Sequence, residues 1–168
     1  MKTLFKFISV IIIAPILLVA CQTNSNYAQE KNSLIGDISH DQLITAYPYF
    51  KIASNTEIKS NHAMKQLKLI KEPTHLTVYF GVWCHDSVRE VPALMQLLSE
   101  VNNPNISYQL ISLDRSKQEP QGRARANGIV YTPTIVVHQD NSELGRIIEK
   151  PTQSLATDLA KILSASAD

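Results

Sequence analysis

The chain has 168 residues, with 16 basic against 15 acidic side chains, 44% hydrophobic residues and two cysteines. That balance provides neither a basic stripe for nucleic acid nor an acidic tail, and the length suits one domain with a real core rather than two. Two cysteines are also too few for a disulfide-stapled scaffold.

Lys2 and Lys6 precede an apolar run from about Ile8 to Ala20, too short and too early to span a membrane comfortably. The run ends Leu18-Val19-Ala20-Cys21, which resembles the bacterial lipobox. The resemblance implies removal of residues 1–20, acylation of Cys21 by palmitate-type chains, and an exported domain anchored to a membrane in the cell envelope. Gln22 after the cysteine, rather than Asp, implies the periplasmic face of the outer membrane if the cell is Gram-negative. A plain secretory signal is the alternative. Without Lys2 and Lys6 the chain carries 14 basic and 15 acidic residues. With Cys21 acylated, Cys84 is the sole remaining thiol and no internal disulfide is possible.

Residues 21–36 are polar and aperiodic, and read as a flexible tether. Ser39 and Gln42 have capping-box spacing, which predicts a short helix through about Ala46, stopped by Pro48. Tyr47, Tyr49, Phe50 and Ile52 form an aromatic-rich loop, and a second helix is predicted over about Asn61–Ile70. Residues 37–70 thus read as a helical extension to a domain over 71–168. That domain alternates: strand 75–81, helix 86–100, strand 106–112, polar helix 118–127, strand 133–138, a turn at Asp140-Asn141, strand 143–149 and helix 152–164. The first strand–helix–strand predicts a parallel pair, and the later strands a hairpin. The order predicts an α/β sheet with helices on both faces.

Trp83-Cys84-His85-Asp86-Ser87 lies where the apolar run Leu76–Phe80 gives way to the longest amphipathic pattern. A cysteine at a helix start faces unpaired backbone N–H groups and the positive helix end, which favour the reactive thiolate. The usual partner is a second cysteine three residues on, and here that position is Ser87. Ser87 either hydrogen-bonds the thiolate or is an ordinary small first-turn residue. A protonated His85 would lower the thiol pKa and Asp86 would raise it. Asp86 is expected to cap the helix or pair with Arg89, and Arg89-Glu90 to face solvent or neighbouring loops. His40, His62, His75 and His138 read as scattered surface or satisfied residues. No cofactor is expected, and a metal held by Cys84 and His85 lacks further ligands. Hydrolase and nucleotide-binding motifs are missing.

The chain resembles the thioredoxin-like superfamily over about residues 70–165. The matching features are Trp83-Cys84, Pro92 eight residues beyond Cys84, Thr132-Pro133-Thr134 after Gly128-Ile129, and Gly145 in the last strand. Trp-Cys-x-Asp-Ser with Arg89-Glu90-Val91-Pro92 is similar to a bacterial exported subgroup. The resemblance implies a thioredoxin-like fold and a cis bond before Pro133 beside the cysteine. It also implies Cys84 as nucleophile, Trp83 as apolar shield, and Thr132 lending its backbone to an extended substrate. Val78 stands where thioredoxin has a buried Asp that serves its resolving sulfur. The expected activity is monothiol thiol–disulfide exchange with exported proteins or small thiols. The alternative is a non-catalytic binding or scaffold module. The peroxidatic loop of related peroxidases is absent.

Overall fold

The computed structural model describes residues 34–51 and 60–165. The expected leader, the lipidation site Cys21, most of the tether and Ile52 lie outside the described residues. Strand β1 spans Gly36–Ile38, β2 Thr74–Phe80, β3 Ile106–Ser112, β4 Thr134–Gln139 and β5 Ser142–Ile148. They form one sheet in the order β1-β3-β2-β4-β5. Helix α1 spans His40–Ala46, α2 Asn61–Lys68, α3 His85–Val101, α4 Arg123–Ala126 and α5 Leu155–Ser164, with a 3-10 turn over Pro48–Lys51.

β2 is the inner strand that organises the rest. It pairs parallel with β3 from Thr74↔Ile106 to Phe80↔Ser112, and antiparallel with β4 from Thr74↔Gln139 to Tyr79↔Thr134. Alternate side chains of a strand face opposite ways. Leu76, Val78 and Phe80 therefore enter the larger core with Leu94, Leu97, Leu110, Ile135, Val137, Leu155 and Leu159. Tyr79 faces the other way, into a small cluster with Ile111, Leu113, Ala124, Ile129 and Val136. Both faces carry helices, but unequally. The 3-10 turn, α2, α3 and α5 contact one another on one side, whereas Ala124 of the four-residue α4 sits in the small cluster on the other.

The predicted polar helix over 118–127 shrinks to Arg123–Ala126. Pro120 precedes it, and Gly122 takes φ +70°, a left-handed conformation glycine tolerates without strain. The Glu119 carboxylate accepts the N–H groups of Gln121 (2.8 Å) and Ala124 (3.2 Å), so a buried side chain starts this helix. The hairpin between β4 and β5 closes through Asp140 and Asn141, at φ 48° and 63°. Two consecutive left-handed residues match the twist of a two-residue hairpin loop.

The segment before β2 is joined to the same core. Ser39 forms both halves of the capping box with Gln42 (2.9 and 3.1 Å). Leu43, Phe50, Ala63 and Leu67 are buried in the larger cluster, and Phe50 meets Phe80 edge-on at 5.8 Å. At the end of α2, Asn103 donates to the carbonyls of Leu67 and Ile70 (2.9 Å each), satisfying groups a helix end leaves unpaired. Gly36, at the end of the expected tether, opens β1, which pairs antiparallel with β3.

Candidate active site

Cys84 is the N-cap of α3, half-buried at the C-terminal end of β2, with φ −96° and ψ 125°. The turn that delivers it is closed by its own N–H on the Gly81 carbonyl (3.0 Å), and the helix begins with Val88 N–H on the Cys84 carbonyl (3.0 Å). No side-chain oxygen caps this helix, which leaves the first-turn N–H groups of Asp86 and Ser87 to the sulfur.

The Thr132–Pro133 bond is cis, and it brings the Thr132 carbonyl to 3.0 Å from Cys84 Sγ. The turn is held on both sides: Thr134 Oγ1 donates to the Tyr131 carbonyl (2.8 Å), and Glu149 N–H to the Pro133 carbonyl (2.7 Å). Thr132 and Thr134 are buried, while Val130 and Tyr131 just before them are exposed.

The acidity of the thiol reflects opposed effects. Burial pushes it up. Hydrogen bonds to the thiolate from Thr132, from the N–H and hydroxyl of Ser87, and from the Asp86 N–H outweigh this, and the thiol lies below its ordinary value. The Thr132 carbonyl works against that shift, because it accepts the S–H of the protonated form. Its hydroxyl favours the ionised form, so Thr132 touches both states of the sulfur.

Ser87 is fully buried, and its Oγ accepts the Gly81 N–H at 3.2 Å. One hydroxyl therefore braces the turn through its oxygen and keeps its proton for the sulfur. Trp83 lies against the Cα of Gly81: a methyl built there would meet the indole at 2.6 Å. Its Nε1–H donates to the Leu113 carbonyl (3.2 Å), and the Arg115 guanidinium stands 5.6 Å over the ring.

His85 is exposed. The Asp86 carboxylate pairs with Arg89 at 2.7 Å rather than capping the helix, so Asp86 reaches the sulfur through its backbone. Glu90 corrects the expectation of a solvent-facing pair. It is 7% exposed, with its carboxylate 2.6 Å from Arg89 Nε, and these two acids hold the guanidinium above its usual pKa. Val78 is fully buried and contributes only packing.

Two neighbours escaped the sequence reading. Tyr49 Oη donates to the Val82 carbonyl at 3.2 Å, tying the segment before β2 to the cysteine turn. The carbonyl of Leu113, just past the end of β3, receives the indole N–H. The aromatic run containing Tyr49 was the visible signal, but nothing local says where that run docks.

A mixed sheet in this strand order, with a cysteine opening the helix after an inner strand and a cis-proline beside it, defines the thioredoxin-like class of folds. The chain belongs to the thioredoxin family, whose model matches residues 40–160. No curated protein matches it. Among solved structures, it is similar to a Pseudomonas aeruginosa protein of unknown function, at 18% identity and TM-score 0.51, over 77% of this chain and 99% of that one. It is also similar to an HIV epitope-scaffold, at 19% identity and TM-score 0.52, over 82% of this chain and 97% of that one. At these identities the likeness speaks for the fold alone. The match from residue 40 takes in α1 and α2, further upstream than the sequence motifs reach.

Proposed function

We propose that this protein is an exported, lipid-anchored monothiol thiol–disulfide exchange protein, acting through Cys84 on disulfide- or thiol-bearing exported proteins or small thiols. The observation that carries this reading is the placing of one half-buried sulfur at a helix start, 3.0 Å from the carbonyl before a cis-proline. The anchoring rests on the Leu18-Val19-Ala20-Cys21 sequence, with Cys21 as the acylated residue.

In the forward step the Cys84 thiolate attacks one sulfur of a client disulfide. The new bond joins Cys84 to that sulfur, and the client's other sulfur leaves as a thiolate that takes a proton from water. Ser87 cannot displace the mixed disulfide. A second thiol, from the client or a small molecule, attacks it, restores the Cys84 thiolate and leaves with the client as a disulfide. Redox equivalents are thus exchanged between the two partners and the protein is unchanged. Trp83, packed on Gly81 beneath the cysteine turn, serves as an apolar contact surface for the client, and the Thr132-Pro133 turn offers backbone to an extended client.

Incubation with oxidised glutathione and intact-mass measurement tests this. A single adduct, absent in Cys84→Ser, is expected. A Cys84 that stays unmodified while an ordinary exposed thiol reacts would leave the competing reading, a redox fold kept as a binding or scaffold module.

A further inference from the structure

We propose that His75 and His138 form a second site, at the opposite end of β2 from Cys84, for a borderline divalent transition-metal ion such as Zn2+ or Cu2+. The two histidines are direct partners in the antiparallel register of β2 and β4. Directly opposed residues point to the same face with Cβ atoms about 4.5–5.5 Å apart, close enough for two imidazoles to converge on one ion. They share the face that carries Tyr79 and Val136, which α4 covers only near its Cys84 end. Beyond α4 the sheet is open, and a cleft of about 680 Å3 is lined by both histidines with Thr74, Ser107, Gln139 and Asp140.

The hydrogen bonds assign the tautomer of His75. Ser107 Oγ donates its one proton to the Thr74 carbonyl (3.1 Å), so towards His75 Nδ1, 3.0 Å away, it accepts. The ring proton is therefore on Nδ1, and Nε2 presents a bare lone pair. This is the arrangement by which metal-binding histidines are oriented: one nitrogen donates to a fixed oxygen and the other ligates. Across the strand, His138 Nε2 is buried with no hydrogen-bond partner, a rare condition that a metal bond relieves.

Glu143, opposite His138 on β5, is committed to Arg146 through two 2.6 Å contacts. Among the described residues no third His, Cys, Asp or Glu completes a cluster, so water fills the remaining coordination positions and the ion exchanges freely. This site does not depend on the chemistry proposed for Cys84.

The test uses the full chain carrying Cys21→Ser and Cys84→Ser, so that no thiol competes, titrated with zinc or copper(II) chloride by calorimetry. One ion per chain is expected, with a Tm that rises with ion concentration. His75→Ala and His138→Ala should each weaken binding about tenfold or more. Ser107→Ala, which frees the His75 tautomer, should weaken it less. If either alanine variant fails to fold, His75→Gln and His138→Gln replace them. Absence of binding at millimolar ion, or unchanged binding in the double histidine variant, overturns the proposal.

Discussion

Gly81→Ala tests the packing beneath the cysteine turn. The added methyl would lie 2.6 Å from Trp83 Cε2 and 2.9 Å from Cζ2 and Nε1, nearer than carbon atoms pack, so the indole must move. Overfilling a packed site costs about 1–3 kcal/mol. A displaced indole also loses its bond to the Leu113 carbonyl, worth about 1 kcal/mol. The loss is then about 2–4 kcal/mol, which at about 4 °C per kcal/mol lowers Tm by about 8–16 °C. Trp83 is the only tryptophan in the chain, so its emission reports the same event and should shift to the red. A Tm within about 1 °C of the parent, with unchanged emission, would refute the wedge of indole against Gly81.

Three further outcomes follow from the same geometry. Ser87→Ala strands the buried Gly81 N–H and should cost about 1–3 kcal/mol in urea unfolding, while moving the pH midpoint of Cys84 alkylation upward. Leu43→Ala, at a fully buried position of α1, should cost about 2–5 kcal/mol in the same assay; a cost under 0.5 kcal/mol would mean that α1 is not part of the core. Iodoacetamide should alkylate Cys84 with a midpoint below that of the same cysteine in the urea-unfolded chain. The folded thiol is the more acidic one, so its contribution to stability is full above the unfolded pKa and is lost as pH falls through the folded value. Cys84→Ser should lack that dependence.

The central strand–helix–strand was legible to within about one residue at each end, because apolar runs and the cysteine turn mark its boundaries in the chain itself. The capping box at Ser39 was equally local. β1 was not legible. Gly36–Ile38 has three residues and becomes a strand only by pairing with Leu110–Ser112. The run over 118–127 has helix-forming composition throughout, but Pro120 and the left-handed Gly122 confine the helix to Arg123–Ala126. The burial of Glu90 is not legible for a different reason: a carboxylate beside an arginine in a helix reads as a solvent-facing pair, and only the folded packing encloses it. The neighbourhood of Cys84 and Pro133 follows only from the resemblance of Trp83-Cys84 and Thr132-Pro133-Thr134 to thioredoxin-like proteins, not from anything local in the chain. The pairing of His75 with His138, 63 positions apart, exists only in the register of two strands.

Ser87 has one more consequence. Where two sulfurs sit together, oxidation of one is quenched by the other, and the domain rests in a protected, self-closed form. Cys84 is the one cysteine among the described residues. A sulfenic acid formed on it by peroxide would find no neighbouring thiol within the domain to condense with. Its protection against irreversible over-oxidation must come from outside, so the domain's survival under oxidants is tied to the supply of reductant around it.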